Sequence, residues 1–141
     1  MKPNAILAPV FALAAWTGCI LVLLAFRRLS AGARGRVKVS AFKMGEAPDV
    51  PADVALPNRN YMNLLELPLL FYVACILAFS TGQVTSAIVA AAWLYVGLRV
   101  VHSVVHITYN KVLHRFAAFA ASNTVLIVLW VLLGHRVFSA A

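Results

Sequence analysis

From Ile6 to Phe26 the chain runs 21 residues without a charged side chain. As a helix that run is about 31 Å long, enough to cross a hydrocarbon core of about 30 Å. Three more apolar runs follow, over about 62–80, 84–110 and 115–134, the middle two parted only by the turn Ser80-Thr81-Gly82-Gln83. Hydrophobic residues make up 63% of the 141 and charged residues only 11%, where soluble domains carry about 25%. Four such runs cannot all hide from water in a chain this short. The expected fold is all-α: one domain over 1–141, an integral membrane four-helix bundle with spans 6–26, 62–80, 84–110 and 115–134.

The first run begins after Lys2, as a signal peptide would, but it is longer than a 7–15-residue signal core and passes straight into Arg27 and Arg28. An uncleaved anchor is expected. Twelve Lys and Arg against four acids give a net charge of +8. The cations lie between the apolar runs and form no basic and aromatic groove, which excludes nucleic acid and points to anionic lipid head groups. The 27–58 link carries Arg27, Arg28, Arg34, Arg36, Lys38 and Lys43, with Arg59 just beyond; the link between spans three and four adds Lys111 and Arg115, against Lys2 and Arg136 at the other end. The positive-inside rule therefore places both links in the cytoplasm and both termini away from it. In the long link Pro48, Pro51 and Pro57 argue against a continuous helix through its second half. Gly134-His135-Arg136 reads as the stop of the last helix. Cys19 and Cys75 each sit deep in an apolar run and read as small hydrophobes that pack.

Charges inside a span cost about 2.5–3.5 kcal/mol each on insertion scales, so Glu66 and Arg99 require a reason. Arg59, Asn63 and Glu66 recur at i, i+4, i+7 and fall within roughly 60° of one another on the second helix. Pro68 follows, withholding the amide that would bond the carbonyl of Leu64 and kinking the helix where the polar face ends. On the third helix Tyr95, Arg99, His102, Ser103, His106, Tyr109 and Asn110 fall within an arc of about 120°. The two polar faces are expected to share one cavity toward the cytoplasmic end. Two plainer readings compete: an Arg99–Glu66 ion pair that only holds helices together, and a metal bound by His102 and His106 with Glu66, for which the ligand set is incomplete. Ala117, Ala118, Ala120, Ala121 and Ser122 on the fourth helix suit close helix contact, with Asn123 bonding across the bundle.

The string Arg59-Asn60-Tyr61-Met62-Asn63-Leu64-Leu65-Glu66-Leu67-Pro68 resembles the second-helix signature of the MAPEG family, membrane-associated proteins in eicosanoid and glutathione metabolism. Arg99, His102 and Arg115 are similar in type and spacing to the Arg, His and Arg of microsomal glutathione transferases. The resemblance implies a homotrimer that binds glutathione as cosubstrate between subunits near the cytoplasmic side, in a membrane expected to be a bacterial inner membrane. It makes Arg59, Asn63 and Glu66, with His102, His106 and Tyr109, the candidate glutathione ligands. Arg115 is the expected catalytic cation, with Arg99 the second candidate. Arg can clamp glutathione's carboxylates and Glu its ammonium, while a guanidinium beside the thiol favours the thiolate. The chain departs from relatives that carry tyrosines where it has His102 and His106. The expected function is transferase or peroxidase attack on a lipophilic small molecule entering from the bilayer. The alternative is a non-enzymatic bundle of the same fold that binds lipid or serves a membrane complex. A transporter ranks last, because four spans with no internal repeat offer no path.

Overall fold

The structure is a computed structural model that describes residues 2–43 and 45–139. A 3-10 turn at Pro3–Ile6 leads into α1 (Leu7–Ala33); α2 (Ala52–Leu65), α3 (Pro68–Ser80), α4 (Ser86–Ile107) and α5 (Val112–Ser139) follow, and the described residues contain no strand. With α2 and α3 counted as one crossing over Ala52–Ser80, four helices are long and apolar enough to span a membrane. The protein is therefore an all-helical membrane bundle.

Local chemistry explains most of the helix ends. The Thr85 hydroxyl caps α4 by accepting from the Ile88 amide at 3.3 Å. Gly82 closes the α3–α4 turn at φ +69°, a left-handed conformation that glycine adopts without Cβ strain. At Glu66 ψ turns to −99°, and α3 restarts with Pro68 in its first turn. Proline fits there because first-turn amides need no intrahelical acceptor. The second crossing thus breaks where Pro68 requires it.

Several ends differ from expectation. α1 continues through Arg27 and Arg28 to Ala33, and α2 starts at Ala52, so the long link shrinks from 27–58 to 34–51. Long basic side chains extend a helix beyond the hydrocarbon with their charges in water, so charge alone did not mark the stop. Pro57 lies inside α2, where it costs only the bond to the Asp53 carbonyl, close to the start of the helix. α4 ends at Ile107 rather than 110, and α5 runs past Gly134 to Ser139 with Arg136 in its last turn. A cation there suits the negative end of the helix dipole.

Two cores result. The larger one joins α1, α3, α4 and α5 through Leu13, Ile20, Phe71, Cys75, Ile88, Tyr95, Leu126 and Leu129. Phe71 and Tyr95 stack at 4.8 Å within it. Small buried residues, Ala118 and Ser122, let α5 approach α4, whereas Ala117 and Ala121 face outward. Cys75 is buried as expected, but Cys19 is exposed on the outer face of α1, which corrects its reading as a packed residue. The smaller core, at the link, gathers Ala31, Val37, Val50, Val54 and Ala55. The outer surface bears Phe11, Val22, Phe26, Ile127 and Val131, as lipid contact requires.

Candidate functional site

α4 carries its polar face inward. Tyr95, Arg99, His102, Ser103 and His106 are all buried. In hydrocarbon a polar face gains nothing by pointing outward, so the stripe read from the sequence turns toward α2 and α5. Arg99 is wholly buried, and its Nη2 donates to both the backbone carbonyl and Oδ1 of Asn63, each at 2.7 Å. The carbonyl it finds belongs to the last turn of α2, where intrahelical partners run out. Pro68 thus breaks the helix, the break frees a carbonyl, and Arg99 fills the vacancy.

The expected alternative of an Arg99–Glu66 ion pair is not what forms. Among the described residues Glu66 enters no salt bridge; it is exposed at the end of α2. Helical spacing put Glu66 on the face of Asn63, but the chain leaves helical geometry at Glu66 itself, and the Asn63 oxygens occupy Arg99.

A cavity of about 350 Å³ opens beside this junction, lined by Arg59, Asn63, His102, His106 and Arg115 with the apolar Val112, Phe116 and Phe119. Its polar groups come from α2, α4 and α5. The α4–α5 turn positions Arg115: Asn110 adopts φ +47°, tolerable for Asn, and its Oδ1 accepts from Arg115 Nη1 at 2.8 Å. His102 Nδ1 donates to the Arg115 carbonyl at 3.1 Å, which places the neutral-ring proton on Nδ1 and leaves Nε2 as acceptor. His106 stands edge-on to His102, with ring centroids 5.6 Å apart. His102 Nε2, both His106 nitrogens, and Arg99 Nε and Nη1 are buried without a partner. Asn60, fully buried on α2, likewise has neither amide atom bonded.

Of the eight candidate residues, the cavity gathers five: Arg59, Asn63, His102, His106 and Arg115. Arg99 lies behind them, joined to the lining through Asn63. Glu66 and Tyr109 lie outside; Tyr109 is exposed and bonds His114 instead, its hydroxyl 3.1 Å from Nδ1. Tyr109 follows the end of α4, so the helical arc does not carry it to the cavity. The described residues hold no cluster of three His, Cys, Asp or Glu able to take a metal ion, so the His102, His106 and Glu66 set does not assemble. Sequence reading missed Phe119, which packs under Arg99 at 5.8 Å and against His102. Its place four residues after Arg115, on the same helical face, was the available signal.

Chemically, the lining offers two guanidiniums, an amide and two imidazoles, with no carboxylate among the lining residues. Such a set receives an anion and offers hydrogen bonds on several sides. Comparison with curated proteins and with solved structures gives no match. The MAPEG family model matches residues 6–135, nearly the whole chain, and so the protein belongs to the MAPEG family.

Proposed function

We propose that the protein is a membrane-bound glutathione-dependent transferase or peroxidase, acting on a lipophilic electrophile or hydroperoxide from the bilayer. Family membership supports a membrane role in glutathione or eicosanoid metabolism. The finer reading rests on one observation, the acid-free cavity lined by Arg59 from α2 and Arg115 from α5. Arg59 pairs with a glutathione carboxylate, while Asn63, held by Arg99, presents its amide to the peptide backbone. Glutathione supplies the nucleophilic sulfur. Arg115, fixed by Asn110, sets its positive charge against that sulfur, lowers the thiol pKa and stabilises the thiolate. Buried His102 and His106 complete the hydrogen bonds around the bound anion. Glu66, outside the cavity, meets the ammonium only where a neighbouring protomer closes over it, in keeping with the proposed homotrimer. Both links face the cytoplasm of a bacterial inner membrane, and the termini face away.

The test is calorimetric titration of glutathione into the detergent-solubilised protein. Loss of the charge-assisted bonds in Arg59→Ala is expected to weaken binding at least tenfold, in line with about 1.5–3 kcal/mol for such bonds. No heat with the wild type would overturn the proposal and favour a non-enzymatic accessory subunit of the same fold.

A further inference from the structure

The 34–51 link folds onto its own small core, and two acids, Glu46 in the link and Asp53 at the start of α2, are taken up by arginines. Arg28 Nη2 meets Glu46 at 3.2 Å while its guanidinium lies over Phe42 at 4.7 Å, and Arg36 grips Asp53 with two bonds of 3.0 and 2.9 Å. Arg27 adds a third contact to Asp53 at 3.8 Å. Hydrogen bonding to Asp53, and then its charge, holds the Arg36 guanidinium above its ordinary pKa. With Glu46 and Asp53 consumed, Arg34, Lys38 and Lys43 are left exposed and without a carboxylate partner among the described residues; Asp49 is the unpaired acid nearby. Between the two lysines the 3-10 turn Val39–Phe42 leaves Val39 84% exposed. These pairings thus leave three cations, unpaired among the described residues, and one apolar side chain on the surface.

The placement of this surface follows from covalent geometry. Arg34 immediately follows a membrane-spanning helix, and Ala52 begins the next, so both ends of the segment between them are tethered close to the membrane surface. Exposed Phe26 and Leu29 mark the lipid-facing side of the last turns of α1. We infer that Arg34, Lys38 and Lys43 form a docking surface for the head groups of acidic phospholipids, with Val39 inserted among them. Each cation near an anionic leaflet strengthens attraction about fivefold. The small core and its ion pairs hold the three cations in place, so little ordering remains to oppose docking.

The test uses the full-length protein in nanodiscs of neutral phosphatidylcholine, with or without phosphatidylglycerol, read by backbone hydrogen exchange over 34–43. Acidic lipid should slow exchange there at least tenfold, and the R34Q/K38Q/K43Q variant should abolish that difference. A Val39→Trp variant supplies an independent readout. Its indole emission should be quenched by head-group-level spin-labelled lipid in acidic nanodiscs only, and the quenching should fall with added salt. Equal exchange and quenching in the two lipid compositions, or an undiminished lipid effect in the triple variant, would overturn the inference. Glutathione titration of the triple variant keeps this test separate from the proposed activity, since none of the three residues lines the cavity.

Discussion

The link and the cavity both bring arginines together, and they treat them in opposite ways. At the link, Arg27, Arg28 and Arg36 each face a carboxylate. In the bundle, Arg99 bonds Asn63 and lies over Phe119, Arg115 bonds Asn110, and neither of these nor Arg59 enters a salt bridge among the described residues. A protein that buries a guanidinium without a counterion forgoes a large electrostatic gain. The link uses those three arginines as structural partners of its acids; the cavity keeps Arg59 and Arg115 clear of any carboxylate among the described residues. That contrast is what supports reading the cavity as the place for the proposed anionic ligand.

Arg99→Ala should show the largest stability effect. It removes two charge-assisted bonds and leaves both Asn63 oxygens without their donor, at a cost of about 3 kcal/mol, read as denaturant unfolding in mixed micelles. Unchanged stability would mean that Arg99 does not tie α4 to α2. Arg115→Ala should leave the fold intact but raise the pKa of bound glutathione thiol by at least one unit, or about 1.4 kcal/mol, visible as lost thiolate absorbance near neutral pH. If the titration does not move, Arg99 becomes the catalytic candidate. His102→Phe keeps the ring volume against Phe119 but removes the bond to the Arg115 carbonyl, costing about 1 kcal/mol in the same unfolding experiment. The smallest effect belongs to Asp53→Asn at the exposed link. It should lower the melting temperature only at low salt and vanish as salt rises, because exposed pairs are screened. A large, salt-independent loss there would erase the distinction between the two regions.

Much of the site was legible because helical periodicity fixes azimuth. Arg59 and Asn63, four apart, do line one cavity with His102 and His106, also four apart. Pro68 foretold the break because a missing amide is a local property. Glu66 and Tyr109 lie outside that cavity for a shared reason: each was placed by extending a helical angle to a residue where helical geometry ends. Asn110 was read as one more polar position on α4, whereas its left-handed turn makes it the holder of Arg115. The link resisted reading most, since short irregular segments carry no periodicity and its order depends on pairs 17 and 18 residues apart.

The amino-acid order by itself determined that this chain has four runs fit to cross a membrane, because apolar runs of that length have no other solvent. It also determined which helix faces are polar and where the second crossing breaks. Tertiary packing alone decided that Arg99 bonds Asn63 instead of Glu66, that Phe119 lies beneath the guanidinium, and that Glu46 and Asp53 are paired with Arg28 and Arg36. A sequence specifies which groups need partners, but which partner each one meets depends on distances set only when the helices are packed together.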